Sequence, residues 1–409
     1  MTKTFNISKH LVFQAYKHVK RNAGSAGVDG QSLLDYESNL KGNLYKLWNR
    51  MSSGSYSPAP VKAVEIPKKS GGTRLLGVPT VEDRIAQMTV KLMFEPEVEP
   101  HFLDDSYGYR CGKSALDAVG VTRERCWRND WVLEFDVKGM FDNISHDLLM
   151  KAVRKHTKIK WVELYIERWL TASLQLPSGE IKARARGTPQ GGVISPVLSN
   201  LFMHYVFDKW MDKHHPDVLW CRYADDGLVH CKTKQQAHLL LSELKARFAE
   251  CELELHPKKT QIVYCKDGKR KRNYSHTSFD FLGYTFRRRT CKSKQGKLFV
   301  GFIPAVSASS KKAMRTETRR RNWRNRTELS LNEIAKRCNP VLRGWQNYYG
   351  HYCRSELNAV WRHFNKTLVS WLMSKYKSLK GHKRRAVRFL EQIVEREPNL
   401  FVHWKMGML

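Results

Sequence analysis

"CRYADDGLVH", residues 221–230, sets two adjacent acids, Asp225 and Asp226, between short apolar runs in a chain whose formal net charge is +33. The runs on either side, 219–223 and 228–231, read as two strands of a hairpin. Asp226-Gly227 is a strong hairpin-turn signal, so a polar turn accounts for the acids without any chemistry. A metal site accounts for them too, and needs a further acid. "WVLEFDV", residues 131–137, supplies one: it reads as a strand from its β-branched and aromatic content, and Asp136 ends it. An acid at the end of one strand and a pair in an adjacent hairpin can converge on one side of a sheet. Three carboxylates that close repel one another unless cations lie among them. Mg²⁺ takes one or two carboxylates together with phosphate oxygens, and two such ions stabilise both the attacking and the leaving oxygen of a displacement. Spacing alone leaves both readings open.

The rest of the chain narrows the class. Lys and Arg number 72 against 39 Asp and Glu, spread along the whole length, which suits a protein that neutralises phosphates. At 409 residues it can form two or three domains with real cores. "MTKTFNISKHLVFQAYKHVKRN" has no apolar run of a signal peptide, and no segment reaches the ~18 apolar residues of a membrane span. The nine cysteines are scattered without a C-x-x-C, which favours reduced thiols in a cytosol. A soluble intracellular protein is expected, with no membrane partner.

Patterning predicts a helix over 5–22 capped by Ser8, a glycine-rich break at 23–30, and a second helix over about 33–47. "VKAVEIPKKSGGTRLLGVPT" reads as two strands joined at Gly71-Gly72, followed by a helix over 81–100. Helical pattern returns over 145–175, after "RGTPQGG", and over 234–252, while "FDFLGYTF" reads as a short strand. From about 305 the pattern is helical and basic, with 23 basic and 7 acidic residues over 301–409. Residues alone thus predict a mixed α/β chain with a basic helical C-terminal part.

Three stretches, "RYADDG", "FDVKGMFDNI" and "GTPQGGVISPVLSNL", resemble blocks of the reverse transcriptases encoded by bacterial group II introns. Others follow in matching order: "AGSAGVDG", "IPKKSGGTRLLGVPTVEDRIAQ", "SYGYRCGKSALDAV", "LELHPKKTQIV" and "FDFLGYTF". "LNEIAKRCNPVLRGWQNYYGHY" is similar to the maturase segment of intron-encoded proteins, so the resemblance covers roughly residues 20–409. It implies an α+β right-hand polymerase, with fingers and a palm built on a ferredoxin-like βαββαβ core, then an all-helical thumb/maturase domain. The implied divisions are 1–125 for the N-terminal extension and fingers, 126–300 for the palm, 301–365 for the thumb/maturase domain, and 366–409 for a basic nucleic-acid-binding segment.

The resemblance also implies roles. Asp136, Asp225 and Asp226, with the carbonyl of Val137, would hold two Mg²⁺ ions, for which Mn²⁺ can substitute. Lys68 and Arg74, with Lys62 a weaker third, would grip the dNTP triphosphate. Phe141 would exclude a ribose 2′-OH, and Gln190 would contact the nucleotide or the template backbone. Gly191 and Gly192 would allow close approach of nucleic acid. Lys259 would donate a proton to the leaving group, with Lys258 next to it an alternative. Lys383, Arg384, Arg385 and Arg388 in "GHKRRAVR" would contact RNA phosphates, while Trp323, Trp345, Trp361 and Trp371 are helix-core residues or stacking platforms. Expected partners are the intron RNA, an RNA template with DNA primer, a DNA target and dNTPs; a homodimer is left open. The expected activity is RNA-directed DNA polymerisation with assistance to splicing and retrohoming, in a bacterial cytoplasm at the nucleoid. The paired-Cys endonuclease segment of some intron proteins is not found, so second-strand nicking is not expected. A reverse transcriptase outside introns, as in phage defence, and an RNA-binding maturase with a vestigial polymerase site are the alternatives.

Overall fold

Ser8 opens the first helix, Lys9–Asn22, its hydroxyl accepting from the His10 N–H as an N-cap should. The predicted second helix is two helices, Leu33–Ser38 and Leu40–Ser53. The break falls at Asn39, whose backbone leaves helical geometry and whose side-chain amide lies against Gly42. The computed structural model describes residues 3–67, 72–293 and 295–407. Its compact units are two: Met1–Ala118 with Leu133–Gln261, and Val119–Val132 with Ile262–Leu409.

In the first unit, β1 (Val61–Pro67) and β2 (Thr73–Val78) form the expected antiparallel hairpin; its predicted Gly71-Gly72 turn lies largely outside the described residues. Along the chain follow β3 (Trp131–Asp136), β4 (Leu174–Gln175), β5 (Ile181–Lys182), β6 (Trp220–Tyr223), β7 (Asp226–Cys231) and β8 (Gln261–Tyr264), of which Trp131–Val132 and Ile262–Tyr264 belong to the second unit. One sheet runs β2-β1-β4-β5 and another β6-β7-β3-β8. Helices separate β3 from β6, and Lys234–Glu250 separates β7 from β8. Strand, helix, hairpin, helix, strand in that spatial order is the ferredoxin-like βαββαβ arrangement. The helix begun at Ser195 contains a π-helical turn, His204–Asp208, before it resumes to His214.

In the second unit, "FDFLGYTF" is a hairpin rather than one strand. β9 (Ser278–Phe281) and β10 (Tyr284–Lys292) meet at Leu282-Gly283, both with positive φ, as a two-residue turn with right-handed twist requires. β11 (Leu298–Val306) completes that sheet. Helices Ala308–Arg320, Leu331–Tyr349, Asn358–Lys375 and Lys383–Arg396 then enclose a core that includes Trp323, Trp361, Trp371 and Trp404. Trp345 is half-buried against it, so packing accounts for these tryptophans.

Candidate functional site

Asp136 ends β3, and Asp225 and Asp226 stand at the β6–β7 turn one strand away in the same sheet. Asp226 is not a turn residue. It already pairs with Tyr223, so the turn proper is Ala224-Asp225, with Ala224 at φ +56°. Gly227 is inside β7, opposite Arg222, and a Cβ there would run into the Phe135 ring. The glycine is therefore needed for packing under the acids, and the Asp-Gly turn expected from the sequence does not form.

The three acids share one electrostatic environment. Burial raises the Asp225 carboxyl above its ordinary range, and the charge of Asp136 adds to it; its own backbone N–H, Lys259 and Arg222 pull the other way. Asp226 is pushed up to about 7, first by crowding protein and then by Asp225 and Asp136, although its side chain keeps an open face to solvent. Lys259 answers them: its Nζ donates to Asp136 Oδ2 at 2.6 Å, and that bond holds the ammonium protonated. Lys258 is exposed, with its backbone N–H on His256. Val137 follows Asp136 and bridges Leu255, while the Asp136 carbonyl accepts from the His256 N–H at 2.7 Å. Among the described residues no three Asp, Glu, His or Cys side chains stand ready in ligating geometry. The donor set is nonetheless that of a hard cation: carboxylate oxygens, mutually repelling, with the Lys259 ammonium among them.

Arg222, a strand residue passed over in the sequence, holds the turn in place. Its side chain is fully buried, and its Nε and Nη2 donate to both Asp208 oxygens at 2.7 and 2.6 Å. The same guanidinium donates to Ser106 Oγ, Asn200 Oδ1 and the Ala224 carbonyl at 2.8, 3.2 and 3.0 Å. Asp208 reaches it from the π-helical turn. An arginine in an apolar strand was the available signal, but its side-chain partners lie 14 to 116 residues away.

Phe141 is half-buried in the short helix Met140–Asn143 beyond Asp136, and its carbonyl accepts from the Thr188 N–H at 2.7 Å. Gln190 donates to Asp142 at 3.4 Å, and its carbonyl accepts from Gly77 of β2 at 2.8 Å. The "GTPQGG" glycines serve internal packing. A Cβ on Gly191 would lie 2.5 Å from the Gly77 oxygen, and one on Gly192 would lie 2.5 Å from Ser195 Oγ. Gln87, also missed, clamps the loop from below by accepting the Val193 N–H at 2.7 Å. Arg74 is exposed on β2, and its charge reaches Tyr109, which also feels Asp225 and Asp226. Lys62 stands about 13 Å further along the hairpin at four residues' separation from Ile66, the partner of Arg74. Lys68 lies outside the described residues. Lys383, Arg384, Arg385 and Arg388 are all exposed on the helix Lys383–Arg396, whose Ala386 and Leu390 face the core.

Residues 66–286 match the family Reverse transcriptase (RNA-dependent DNA polymerase), and residues 311–389 match Group II intron, maturase-specific domain. The chain is 31% identical to "Protein YkfC" of Escherichia coli over 70% of its own length and 82% of that protein's. It is 28% identical to "Group II intron-encoded protein LtrA" of Lactococcus lactis, over 62% of this chain and 42% of that one. With the "Putative COX1/OXI3 intron 1 protein" of Saccharomyces cerevisiae it shares 26% identity, over 69% and 33%. The chain therefore spans less than half the length of these last two relatives. The acids, the glycine-tight loop and the basic residues Lys383, Arg384, Arg385 and Arg388 all fall inside the two matched regions. The chain belongs to the reverse transcriptases, RNA-directed DNA polymerases, that carry a group II intron maturase domain.

Proposed function

We propose that this enzyme copies RNA into DNA at Asp136, Asp225 and Asp226, and that its helical second unit binds the intron RNA, assisting splicing and retrohoming. The observation that carries the catalytic half is that Asp136 and the Asp225-Asp226 pair stand on neighbouring strands, with the Lys259 ammonium bonded to Asp136 at 2.6 Å. In this reading β1–β2 belongs to the fingers, the β6-β7-β3-β8 sheet is the palm, and the helices after β11 form the thumb and the basic RNA-binding segment.

Asp136, Asp225 and Asp226, with the Val137 carbonyl, would hold two Mg²⁺ ions, or Mn²⁺ in their place. When bound, such ions stabilise charge on the attacking primer 3′-oxygen and on the leaving pyrophosphate. The chain's own residues do the rest. Arg74, with Lys68 and Lys62, gathers the triphosphate of the dNTP. Phe141, fixed through its carbonyl to Thr188, sets a ring where a 2′-hydroxyl would have to fit. Gln190 is held between Asp142 and Gly77, which sets its reach toward the nucleotide. Lys259 carries a proton on Nζ within the same cleft and can pass it to the departing pyrophosphate. Arg222 keeps the Ala224-Asp225 turn from swinging away.

Primer extension on an RNA template tests this. Asp225→Asn removes one negative charge with little change of shape, and is expected to lower extension by about 10³-fold or more while RNA affinity stays within twofold. Undiminished extension in that variant removes the acids from the mechanism.

A further inference from the structure

Tyr109 lies outside every role assigned above, yet its placement is costly and specific. Its backbone has φ +58°, a left-handed conformation that bulky L-residues avoid and Asn or Gly adopt readily. Its side chain is not consumed by core packing, being 51% exposed. The segment before it is sewn to β6: the Tyr107 N–H donates to the Arg222 carbonyl at 2.8 Å, and the Arg222 N–H to the Asp105 carbonyl at 2.9 Å. Gly108 then presses its backbone onto Tyr223 and Ala224 so closely that a Cβ would collide with the Ala224 nitrogen. Asn200 fixes the same point by donating to the Gly108 carbonyl at 2.6 Å. The strained residue is thus anchored directly over the turn that carries Asp225.

The ring that results is 6.5 Å from that of Tyr223, the residue preceding the turn. Its hydroxyl is perturbed by burial, then by Asp225, with Tyr223 and Asp226 on the same side and Arg74 opposing. The hydroxyl thus feels both the acids and the cation of the β1–β2 hairpin, the two groups that the polymerase reading sets around an incoming nucleotide. Strain persists at a position where a strain-free residue would fold better when the side chain there is needed.

We propose that Tyr109 is a substrate-contacting residue that packs against the sugar and phosphates of the incoming dNTP. This rests on the polymerase reading of the acid cleft. Tyr109→Asn relieves the backbone and removes the ring, so the two effects separate. The expected result is a melting temperature raised by about 2–4 °C, a dNTP KM raised about tenfold or more, and primer–template affinity unchanged within twofold. Tyr109→Phe should retain the wild-type KM to within about threefold if the ring face makes the contact. The inference fails if Tyr109→Asn leaves dNTP KM unchanged, if its loss is confined to primer–template affinity, or if its melting temperature falls and activity falls only with the folded fraction. A wild-type protein that extends no primer would instead overturn the polymerase reading itself.

Discussion

At Arg222 one side chain holds the turn that carries Asp225. The guanidinium and Asp208 are both fully buried, so each is tolerable only because the other is present. Burial raises the Asp208 carboxyl while Arg222 lowers it, the balance expected of a buried pair. Replacing Arg222 by Met leaves Asp208 uncompensated, and is expected to cost about 3–5 kcal/mol in urea unfolding. Adding Asp208→Leu should restore much of that stability, since an apolar pair substitutes well for a buried ion pair. Extension activity should stay low in the double variant, because the Ala224 carbonyl has lost its donor. Recovery of activity along with stability would show that Arg222 supports the fold alone. Nothing in the sequence pointed to this pairing. Asp208 and Arg222 read as ordinary charges on a helix and a strand until the π-helical turn brings them together.

Two elements carry the next level of dependence. The loop of residues 187–194 is tied to Phe141 on one side, to Gly77 on another and to Gln87 beneath. Gly191→Ala would force a Cβ toward the Gly77 oxygen at φ +120°, where L-residues are strained. The expected cost is about 1–3 kcal/mol, with weaker dNTP use in extension kinetics because Gln190 moves with the loop. The C-terminal segment shows a different dependence. His403 is fully buried, stacks on Trp361, and pairs through Nε2 with Asn365 Oδ1 at 2.7 Å, while its Nδ1 has no partner among the described residues. Burial pushes its pKa down from 6.5 to about 3, because a proton on Nδ1 would bring charge into an apolar pocket. The folded value lies below the unfolded one, so the unfolded chain takes the proton first. The stability held by neutral His403 is complete above about pH 6.5 and is lost as pH falls toward 3, at about 1.4 kcal/mol per pH unit. His204, also pushed down to about 3 by burial and then by Arg222, adds the same sign in the first unit. Urea unfolding between pH 7 and 5 should show this slope, and His403→Phe should reduce it in the second unit. A pH-independent midpoint would contradict the burial of both rings.

Over the whole molecule, an excess of 33 positive charges attracts phosphates, while cations such as Arg222 hold the fold. Replacing Lys383, Arg384, Arg385 and Arg388 together by Ala should weaken RNA binding and lower the slope of log affinity against log salt by up to about 3, at ~0.7 per phosphate contact. Extension on a short primed template should stay near wild type, and an unchanged salt slope would take this helix out of the RNA interface. No helix among the described residues is long and apolar enough to cross a membrane, in keeping with that polar surface. Ser8, the β1–β2 hairpin, the strand ending in Asp136 and the acids at 225–226 were legible because they are local. Caps, alternation and turn chemistry act over a few residues, and motif residues keep their order along the chain. The same locality misled at Gly227, read as a turn residue when it makes room for a phenylalanine 92 positions earlier. Sequence alone determined a basic chain of mixed α/β build and, through its resemblance to the reverse transcriptases, its polymerase family. Only the tertiary structure decided that Lys259 rather than Lys258 balances the acids, that Arg222 holds their turn, and that Tyr109 stands over it under strain. Those choices depend on burial and on contacts between distant segments, and neither quantity exists until the chain has packed.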